Sequence, residues 1–469
     1  MGKERFPESH STMSRESMKS ATEIERRARK ILGLDGLPNA LPPRAELLWR
    51  TDHFAANVPF ANPMFVPLGP SPDLGLAQEA VALSMVRHQA LRTRLAVKND
   101  RAVQIVEEGK IFRLDISDIK RRELDDDYPD DPASPVGKFL KSTMDLCAQG
   151  GFLARAFRDE HRDITMGFLA HGFFSDAWSS QILLRDFRAL YSALKNGEEL
   201  GLEPAEQYIG YAQAQRCSLD AELAAHLVFW QKKLSAMPPV PLPYDHQKNT
   251  GRRGRSYFFI RQEILDSLAA ASAAHRVSLT LLLLAAFQLA LARWSGQSEI
   301  LSAAYTADRV RSQFQNTVGF LVTNMPVCAR FERGQSLCAF LSGFAKEFYG
   351  SYAHRELSCE VYEAIFEPPK PFCATVFNFV PLQKRFAAGE LLSLPAFDGT
   401  VIGSDGAKPA IYRDVYLGLA QYPNGLLGKL FYDTGLFTPE GMEIFVGHFR
   451  RVTEKIAAER DVTINALLD

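Results

Sequence analysis

The feature that most constrains the fold is a strand, a polar turn and a helix that follow one another between residues 163 and 194. Residues 164–170 form a short apolar run that ends abruptly in polar residues, which is typical of a buried strand. From residue 178 to residue 194, apolar side chains recur at helical spacing. Asp176 stands just before this helix, where a carboxylate can accept hydrogen bonds from free backbone N–H groups. The turn collects polar side chains that could carry chemistry: His171, Ser175, Asp176 and Ser179.

This turn resembles the HHxxxDGWS signature of condensation domains and chloramphenicol-acetyltransferase-like acyltransferases, whose acyl donors are bound to CoA or to a carrier protein. His171 matches the first histidine, Asp176 the aspartate and Trp178 the tryptophan of that signature. Gly172 stands where the family has its second histidine, and Ala177 stands where it has glycine. In the family the second histidine acts on the acceptor, so the resemblance implies a fold that lacks its main catalytic side chain here.

Other segments resemble the same family, and the resemblance covers about residues 40–469. It implies a mixed α/β fold of two chloramphenicol-acetyltransferase-like lobes, which form a V-shaped pseudo-dimer with a tunnel between them. The segments are residues 44–49, residues 86–93 (similar to RHExLRT), residues 208–212 (similar to YxDYAxW, with Gly210 in place of Asp), residues 304–309, residues 316–324 (similar to IGxFVNT) and residues 372–381 (similar to an FNFQ-type strand).

The chain of 469 residues is too long for one ordinary core, so two lobes are expected. We expect an N-terminal extension over residues 1–40, with about 20 disordered residues and then a short amphipathic helix over residues 22–34. That helix is interpreted as a packed extension, or as a docking element for a partner. The N-terminal lobe with the signature turn spans residues 41–236, and the C-terminal lobe spans residues 237–469. The boundary lies in the proline run of residues 237–243.

Composition excludes several classes of function. Lys plus Arg number 54 and Asp plus Glu number 55, so no case arises for binding to nucleic acid or to a membrane. The six cysteines show no metal-ligand spacing and are expected to be free, reduced and mostly buried, as in a cytoplasmic protein. The N-terminus lacks a signal-peptide pattern. Residues 277–294 are interpreted as a buried core helix rather than as a membrane span, because polar residues interrupt the run.

The resemblance also implies roles for individual residues. Asp176 is expected to form a buried, structural ion pair with Arg309, and no metal site is expected. The candidate catalytic residues of the signature turn are His171, Gly172, Asp176, Ala177 and Ser175. The residues expected to line the tunnel or bind substrate are Trp178, Gly319, Phe320, Asn324 and Asn378.

Two positions in the turn leave alternatives open. His171 could replace the missing base, but its favoured interpretation is an imidazole that points away from the tunnel and is held by backbone partners. Ala177 adds a methyl group that slightly narrows the passage for a pantetheine thioester, while its N–H could still donate to an oxyanion. Ser175, Ser179, His354 and Cys359 are further candidates for chemistry, and packing is the favoured interpretation of each.

Loss of a positioned general base costs about 10²–10⁴-fold in rate, whereas holding the reactants together contributes about 7–11 kcal/mol. The resemblance therefore implies a stand-alone acyltransferase of nonribosomal peptide or polyketide biosynthesis that acylates an amine, or a hydroxyl. We expect no bound cofactor: the acyl group arrives on the phosphopantetheine of a carrier protein supplied in trans, or on CoA, and reacts with a small-molecule acceptor on a monomer. One alternative is a catalytically silent domain that binds a carrier protein as a recruitment scaffold. Another is altered chemistry on the same fold: cyclisation, dehydration or epimerisation.

Overall fold

The structure is a computed structural model of the chain. It describes residues 15–34, 36–50, 61–109, 111–124, 133–235, 240–246, 252–332, 334–366, 372–381, 413–422, 424–459 and 462–469. The predicted lobe boundary after residue 236 lies outside these ranges, and the division at that point stays a prediction.

The described residues form α-helices and β-strands in mixed order, with three short 3₁₀ turns at Gln89–Arg92, Arg121–Leu124 and Ser312–Asn316. The helices are α1 Arg15–Leu32, α2 Pro43–Arg50, α3 Leu74–Arg87, α4 Pro135–Leu140, α5 Ala177–Asn196, α6 Tyr208–Ser235, α7 Gln262–Ala274, α8 Leu279–Ser295, α9 Leu337–Tyr352, α10 Cys359–Phe366, α11 Pro439–Ala458 and α12 Ile464–Leu468. The strands are β1 Ala61–Pro70, β2 Thr93–Lys98, β3 Arg101–Val106, β4 Asp115–Asp118, β5 Phe152–Arg158, β6 Asp163–His171, β7 Arg253–Arg261, β8 Glu299–Ala307, β9 Val322–Arg330, β10 Thr375–Val380, β11 Val415–Tyr422 and β12 Gly425–Asp433.

A four-stranded sheet carries the signature turn. Its strand order is β1-β6-β5-β4, with β6 antiparallel to both neighbours and β4 parallel to β5. Strand β6 is buried from Met166 to His171, because it lies between two strands and its apolar side chains face packed elements on both sides. The turn after His171 therefore begins in the protein interior.

A six-stranded sheet forms the second half, in the order β7-β12-β11-β10-β8-β9. Strand β10 is parallel to both β8 and β11, and the other pairs are antiparallel. Helix α11 packs against α7 and α8, and α9 packs against β9. Strands β2 and β3 form a separate hairpin.

Helix α8 is buried from Leu281 to Ala292, as expected for a core helix. Among the described residues no single helix is both long enough and apolar enough to cross a membrane. The pair α7 and α8 reaches that length and composition only jointly, and the two helices are bent by 103°.

The N-terminal helices contact elements from both halves of the chain. Helix α1 packs against α2, α6 and α10. Arg27 donates from Nη2 to the carbonyl oxygen of Ala364 at 3.2 Å, and Arg216 of α6 donates from Nη1 to the carbonyl oxygen of Leu32 at 3.0 Å. Helix α1 is thus a packed extension, the first of the two interpretations of this segment.

The strand and the helix predicted on either side of the polar turn are confirmed as β6 and α5, and the core helix predicted over residues 277–294 is confirmed as α8. Three expectations were wrong. Helix α1 begins at Arg15, inside the stretch expected to be disordered, and it packs against α2, α6 and α10. The sequence pattern predicts a helix from residue 219 to about residue 236, but α6 begins at Tyr208, because Tyr208, Tyr211 and Gln215 are buried and continue its packed face. The six cysteines are free, but half of them are exposed: Cys147, Cys217 and Cys338.

Candidate functional site

The site begins at the junction of β6 and α5. Asp176 has extended backbone angles, φ −136° and ψ 177°, and its Oδ1 accepts the backbone N–H of Ser179 at 2.7 Å. This is the N-cap arrangement that a short acidic side chain before a helix favours. Helix α5 ends at Gly197 in the left-handed conformation, φ 68°, where glycine has no steric penalty. Local sequence alone therefore fixes both ends of the helix.

Asp176 is held by partners from the second half of the chain. Arg309 donates from Nη2 to both carboxylate oxygens, at 2.9 Å and 3.0 Å, and the backbone N–H of Leu321 donates to Oδ2 at 3.0 Å. Arg309 also donates to the carbonyl oxygens of Phe314 and Thr317. Both members of the ion pair are buried, and their mutual contacts satisfy the charges. The turn is thereby anchored across the molecule.

Gly319 completes this anchor through its backbone. Its N–H donates to Ser179 Oγ at 3.1 Å, and Ser179 Oγ donates to Asp176 Oδ1 at 2.8 Å. A Cβ atom at residue 319 would lie 2.2 Å from the ring of Tyr208, so a side chain cannot fit without moving that buried ring. Glycine at this position permits the close approach of α6 to the turn.

His171 lies in the turn but does not reach the cavity described below. It is 5% exposed, its Nδ1 accepts the backbone N–H of Phe173 at 3.2 Å, and the two rings stack with centroids 5.3 Å apart. Burial lowers the pKa of His171 to about 3. The imidazole is therefore neutral at physiological pH and has Nδ1 as an acceptor. This geometry matches the interpretation of a histidine held by backbone partners.

A cavity of about 450 Å³ lies against the start of α5. Ser175, Asp176, Ala177 and Trp178 form its floor together with Asn62 of β1. Asn62 donates from Nδ2 to Ser175 Oγ at 2.8 Å, and that hydroxyl donates to the carbonyl oxygen of Ala170 at 3.1 Å. Ser175 is thus engaged in holding the turn, and no basic side chain contacts its hydroxyl in these hydrogen bonds.

The opposite wall comes from the six-stranded sheet. Asn378 of β10 donates from Nδ2 to the hydroxyl of Tyr416 on β11 at 2.9 Å, and both residues line the cavity. Tyr305 of β8 lies beside them, with its ring centroid 6.2 Å from that of Tyr416. Burial raises the pKa of Tyr305 to about 12, so its hydroxyl keeps its proton at neutral pH. Phe320 lines the cavity next to the anchored turn.

Behind this wall lies a buried ion pair that the sequence interpretation missed. Arg44 of α2 donates to both carboxylate oxygens of Glu360, each at 3.2 Å, and to the hydroxyl of Tyr305 at 3.2 Å. Its guanidinium carbon lies 5.2 Å from the ring centroid of Tyr305 and 5.1 Å from that of Phe320. Burial by itself would raise the pKa of Glu360, but Arg44 and Arg413 together hold it at about 2. The sequence gives no local signal for this pair, because Arg44 and Glu360 are 316 residues apart.

The predicted site residues separate into two groups. Gly319 packs behind the turn, and Asn324 donates from Nδ2 to Glu360 Oε1 at 2.9 Å. Neither residue is among the described residues that line the cavity, and the same holds for His171, Gly172, His354 and Cys359. The predicted residues that do line it are Ser175, Asp176, Ala177, Trp178, Arg309, Phe320 and Asn378.

The cavity is poor in groups that could move a proton. Its described lining contains no histidine, cysteine, lysine or glutamate, and its one carboxylate, Asp176, is paired with Arg309. Within the described ranges, no three histidine, cysteine or acidic side chains lie together as metal ligands. The arrangement can therefore enclose and orient a ligand, but it offers no evident general base.

Comparison with known proteins identifies the family. Residues 60–468 match the model of the condensation domain. The chain belongs to the condensation-domain family. A linear gramicidin synthase polypeptide of Brevibacillus parabrevis is 27% identical over 439 residues, a match that covers 90% of this chain and 8% of that protein. The condensation-family chain thus spans less than a tenth of this relative.

Solved structures show the same fold at low sequence identity. The condensation domain of the Monacolin K polyketide synthase MokA has a TM-score of 0.74 at 15% identity, with 91% of this chain and 98% of that chain covered. The X-domain from teicoplanin biosynthesis has a TM-score of 0.72 at 17% identity, with 92% and 97% covered. That X-domain is also known in complex with OxyB. The mixed α/β fold predicted from the sequence is confirmed. At these low sequence identities, the similarity supports the fold and nothing beyond it.

Proposed function

We propose that this condensation-family chain is an acyltransferase of nonribosomal peptide or polyketide biosynthesis. In this proposal it transfers an acyl group from the phosphopantetheine thioester of a carrier protein to an amine. The supporting observation is that the cavity persists at the anchored turn, although Gly172 stands at the position of the family's second histidine. A chain that only bound a carrier would not need a cavity at this place.

The reaction needs no protein base when the acceptor is an amine. The neutral amine attacks the thioester carbonyl carbon, the C–N bond forms, and the C–S bond breaks. The thiolate that leaves takes up the proton that the nitrogen loses, so atoms and charges balance. The protein contributes by holding the two reactants together, an effect worth about 7–11 kcal/mol in well-oriented systems. An alcohol, which needs deprotonation during attack, would react much more slowly.

Backbone groups at the start of α5 are the proposed oxyanion donors. Ala177 lines the cavity in the first turn of this helix, where backbone N–H groups lack intrahelical partners. The positive end of the helix dipole also lies there. A carbonyl oxygen placed against this turn would gain stabilisation as negative charge develops on it.

The experiment is a transfer assay with an acylated carrier protein and a panel of amines and alcohols, followed by intact mass of carrier and acceptor. We expect amides but not esters, at a rate that rises with pH as the amine loses its proton and shows no further inflection from a protein group. An absence of transfer to every amine, with carrier binding intact, would contradict the proposal. Ester formation at a comparable rate would contradict the mechanism.

Gly172→His tests whether the turn is short of a base. A histidine at the signature position should raise the rate of amide formation by up to about 10²–10⁴-fold, because a positioned general base contributes that much. Gly201→His is the matched control, since residue 201 is exposed and a Cβ there meets no atom within 4 Å. A folded Gly172→His protein with the same rate as this control would show that the cavity is not arranged for the family reaction.

The second candidate function is a recruitment scaffold. It is favoured by the poverty of proton-moving groups in the described cavity lining and by the fold shared with the teicoplanin X-domain, which forms a complex with OxyB. Carrier binding without transfer in the assay above would support it. The small number of side chains in the described lining that could accept a proton also disfavours epimerisation, because that reaction requires removal of a proton from carbon.

A further inference from the structure

The cavity carries no net charge on its described lining. Asp176 and Arg309 are the charged residues among those that line it, and they neutralise each other through a buried ion pair. The remaining polar contributions come from amides and hydroxyls, including Asn62, Gln181 and Asn378. A ligand charge placed here would lose its hydration without gaining an opposite charge, which is costly.

Aromatic rings form a large part of the walls. They come from several elements of the second half, so a ligand would meet rings on more than one side. Rings offer broad, flat contact area, and pairs of rings gain about 0.5–1.5 kcal/mol beyond area burial. The ring-bearing residues of the sheet and its neighbours are Tyr305, Phe320, Phe348, Tyr352, Phe377 and Tyr416.

Two of these rings are fixed from behind. The guanidinium of Arg44 lies against both Tyr305 and Phe320, and it donates to the carbonyl oxygen of Val322 at 2.9 Å. Arg44 is itself held by Glu360. The wall is therefore set before any ligand arrives, which reduces the entropy lost when a ligand binds. Preorganised rings discriminate between ligand shapes better than mobile ones do.

One polar group on this wall, the side-chain amide of Asn378, can select ligands by their hydrogen-bonding groups. The amide nitrogen of Asn378 donates to the hydroxyl of Tyr416, and this assignment directs the carbonyl oxygen of the same amide away from that hydrogen bond. Asn378 is half-buried and lines the cavity. Its carbonyl oxygen can accept one hydrogen bond from an uncharged donor such as an amide N–H or a hydroxyl.

We propose that the cavity receives an uncharged acyl group whose aromatic end bears a hydroxyl or an amide N–H, which donates a hydrogen bond to the carbonyl oxygen of Asn378. This inference deepens the proposed acyl transfer and rests on it for the acyl nature of the ligand. The volume of about 450 Å³ accommodates a single ring with its linker, within the usual size of small-molecule sites. Acyl groups that end in a carboxylate or an ammonium should bind more weakly, because the described walls supply no countercharge.

The test measures binding rather than transfer. The probes are unreactive pantetheine amides that bear a 4-hydroxyphenylacetyl group (called the phenylacetyl probe), a succinyl group or a β-aminopropionyl group, and they are titrated calorimetrically into the full chain. We expect the phenylacetyl probe to bind at least about tenfold more tightly than either charged probe. Equal affinity of all three would mean that only the pantetheine arm is recognised, and tighter binding of a charged probe would mean that the cavity supplies a countercharge. Either result overturns the inference.

A charge introduced at Asn378 sharpens the test. Asn378→Asp keeps the side-chain shape and adds a carboxylate, so it should weaken the phenylacetyl probe and bring the β-aminopropionyl probe to equal or tighter binding. Asn465→Asp makes the same change at an exposed residue of α12 and should leave all three affinities unchanged. If Asn378→Asp alters none of the affinities, the proposed orientation is wrong.

The outcome is separable from that of the proposed function. Selective binding of the phenylacetyl probe without any transfer would leave this inference standing and remove the acyltransferase. Transfer of 4-hydroxyphenylacetyl, succinyl and β-aminopropionyl groups at equal rates, with equal binding of the three probes, would leave the acyltransferase standing and remove the selectivity.

Discussion

Two buried carboxylates join the first half of the chain to the second, and they are built differently. Asp176 accepts hydrogen bonds from one arginine, Arg309, and from the backbone at Ser179 and Leu321. Glu360 accepts hydrogen bonds from Arg44 and Asn324, and it also lies within the field of a second arginine, Arg413. Asp176 thus belongs to a single ion pair within a helix cap, whereas Glu360 belongs to a cluster that contains two arginines.

The two carboxylates therefore have different structural roles around the cavity. The pair at Asp176 determines the backbone of the turn, because the same carboxylate caps α5 and binds Arg309. The cluster at Glu360 acts on side chains, because Arg44 contacts the rings of Tyr305 and Phe320. Loss of the ion pair at Asp176 should destabilise the fold. Loss of the cluster at Glu360 should change the shape of the cavity and lower the stability less.

The largest expected effect is that of Asp176→Ala. The change leaves Arg309 buried without its partner, which costs about 3–5 kcal/mol, and removes the helix cap, which costs about 1 kcal/mol more. We expect poorly soluble protein, or a free energy of unfolding lowered by that sum when denaturant titration is possible. Unchanged melting of well-folded Asp176→Ala protein would contradict the structural importance of this pair.

Asp176→Asn separates the two contributions. Asparagine caps helices about as well as aspartate does, so this variant should retain the cap and lose only the charge. It should therefore fall between the parent protein and Asp176→Ala in stability. Equal stability of the two variants would mean that the cap contributes nothing measurable.

Arg44→Met tests the other side of the comparison and should have a smaller effect, about 3 kcal/mol, at the lower end of the range for a broken buried pair. Glu360 keeps its contact with Asn324 and the field of Arg413, which limits the loss. The measurement is denaturant unfolding together with the affinity for the phenylacetyl probe. We expect affinity to fall more than it does for an equally destabilised variant outside the cavity, because Tyr305 and Phe320 lose their support.

The double variant Arg44→Met/Glu360→Gln is the matched control. Removing the carboxylate charge as well relieves the unpaired ion, so the double variant should recover part of the stability but not the affinity. If the single and double variants unfold at the same denaturant concentration, the two side chains are not coupled energetically.

The sequence revealed one of these two sites and not the other for a physical reason. The turn at Asp176 depends on local signals, an apolar strand followed by a capping residue and an amphipathic helix, and its approach to Arg309 came from the family resemblance. Arg44 and Glu360 are 316 residues apart and follow no periodic pattern. The start of α6 was missed for a related reason, since Gly210 in its first turn weakens the local helix signal. Long-range pairs and helices stabilised by packing require the fold.

The smallest expected effect concerns His171, which lies in the same turn as Asp176 but carries no charge at neutral pH. Its pKa of about 3 in the folded chain lies below the value near 6.5 of an unfolded histidine. The unfolded chain therefore binds more protons below pH 6.5, and the stability that the neutral ring contributes is lost as the pH falls from 6.5 towards 3. At pH 5 this loss is about 2 kcal/mol.

His171→Asn removes this titration while its side-chain oxygen can still accept the backbone N–H of Phe173. Denaturant unfolding at neutral pH and at about pH 5 should show the parent losing about 2 kcal/mol more than His171→Asn between the two conditions. His161→Asn, a change at an exposed histidine, should follow the parent. If the parent and His171→Asn lose the same stability, burial does not disfavour protonation of His171 in the folded chain. The contrast between a charged anchor at Asp176 and a histidine that is kept neutral would then no longer hold.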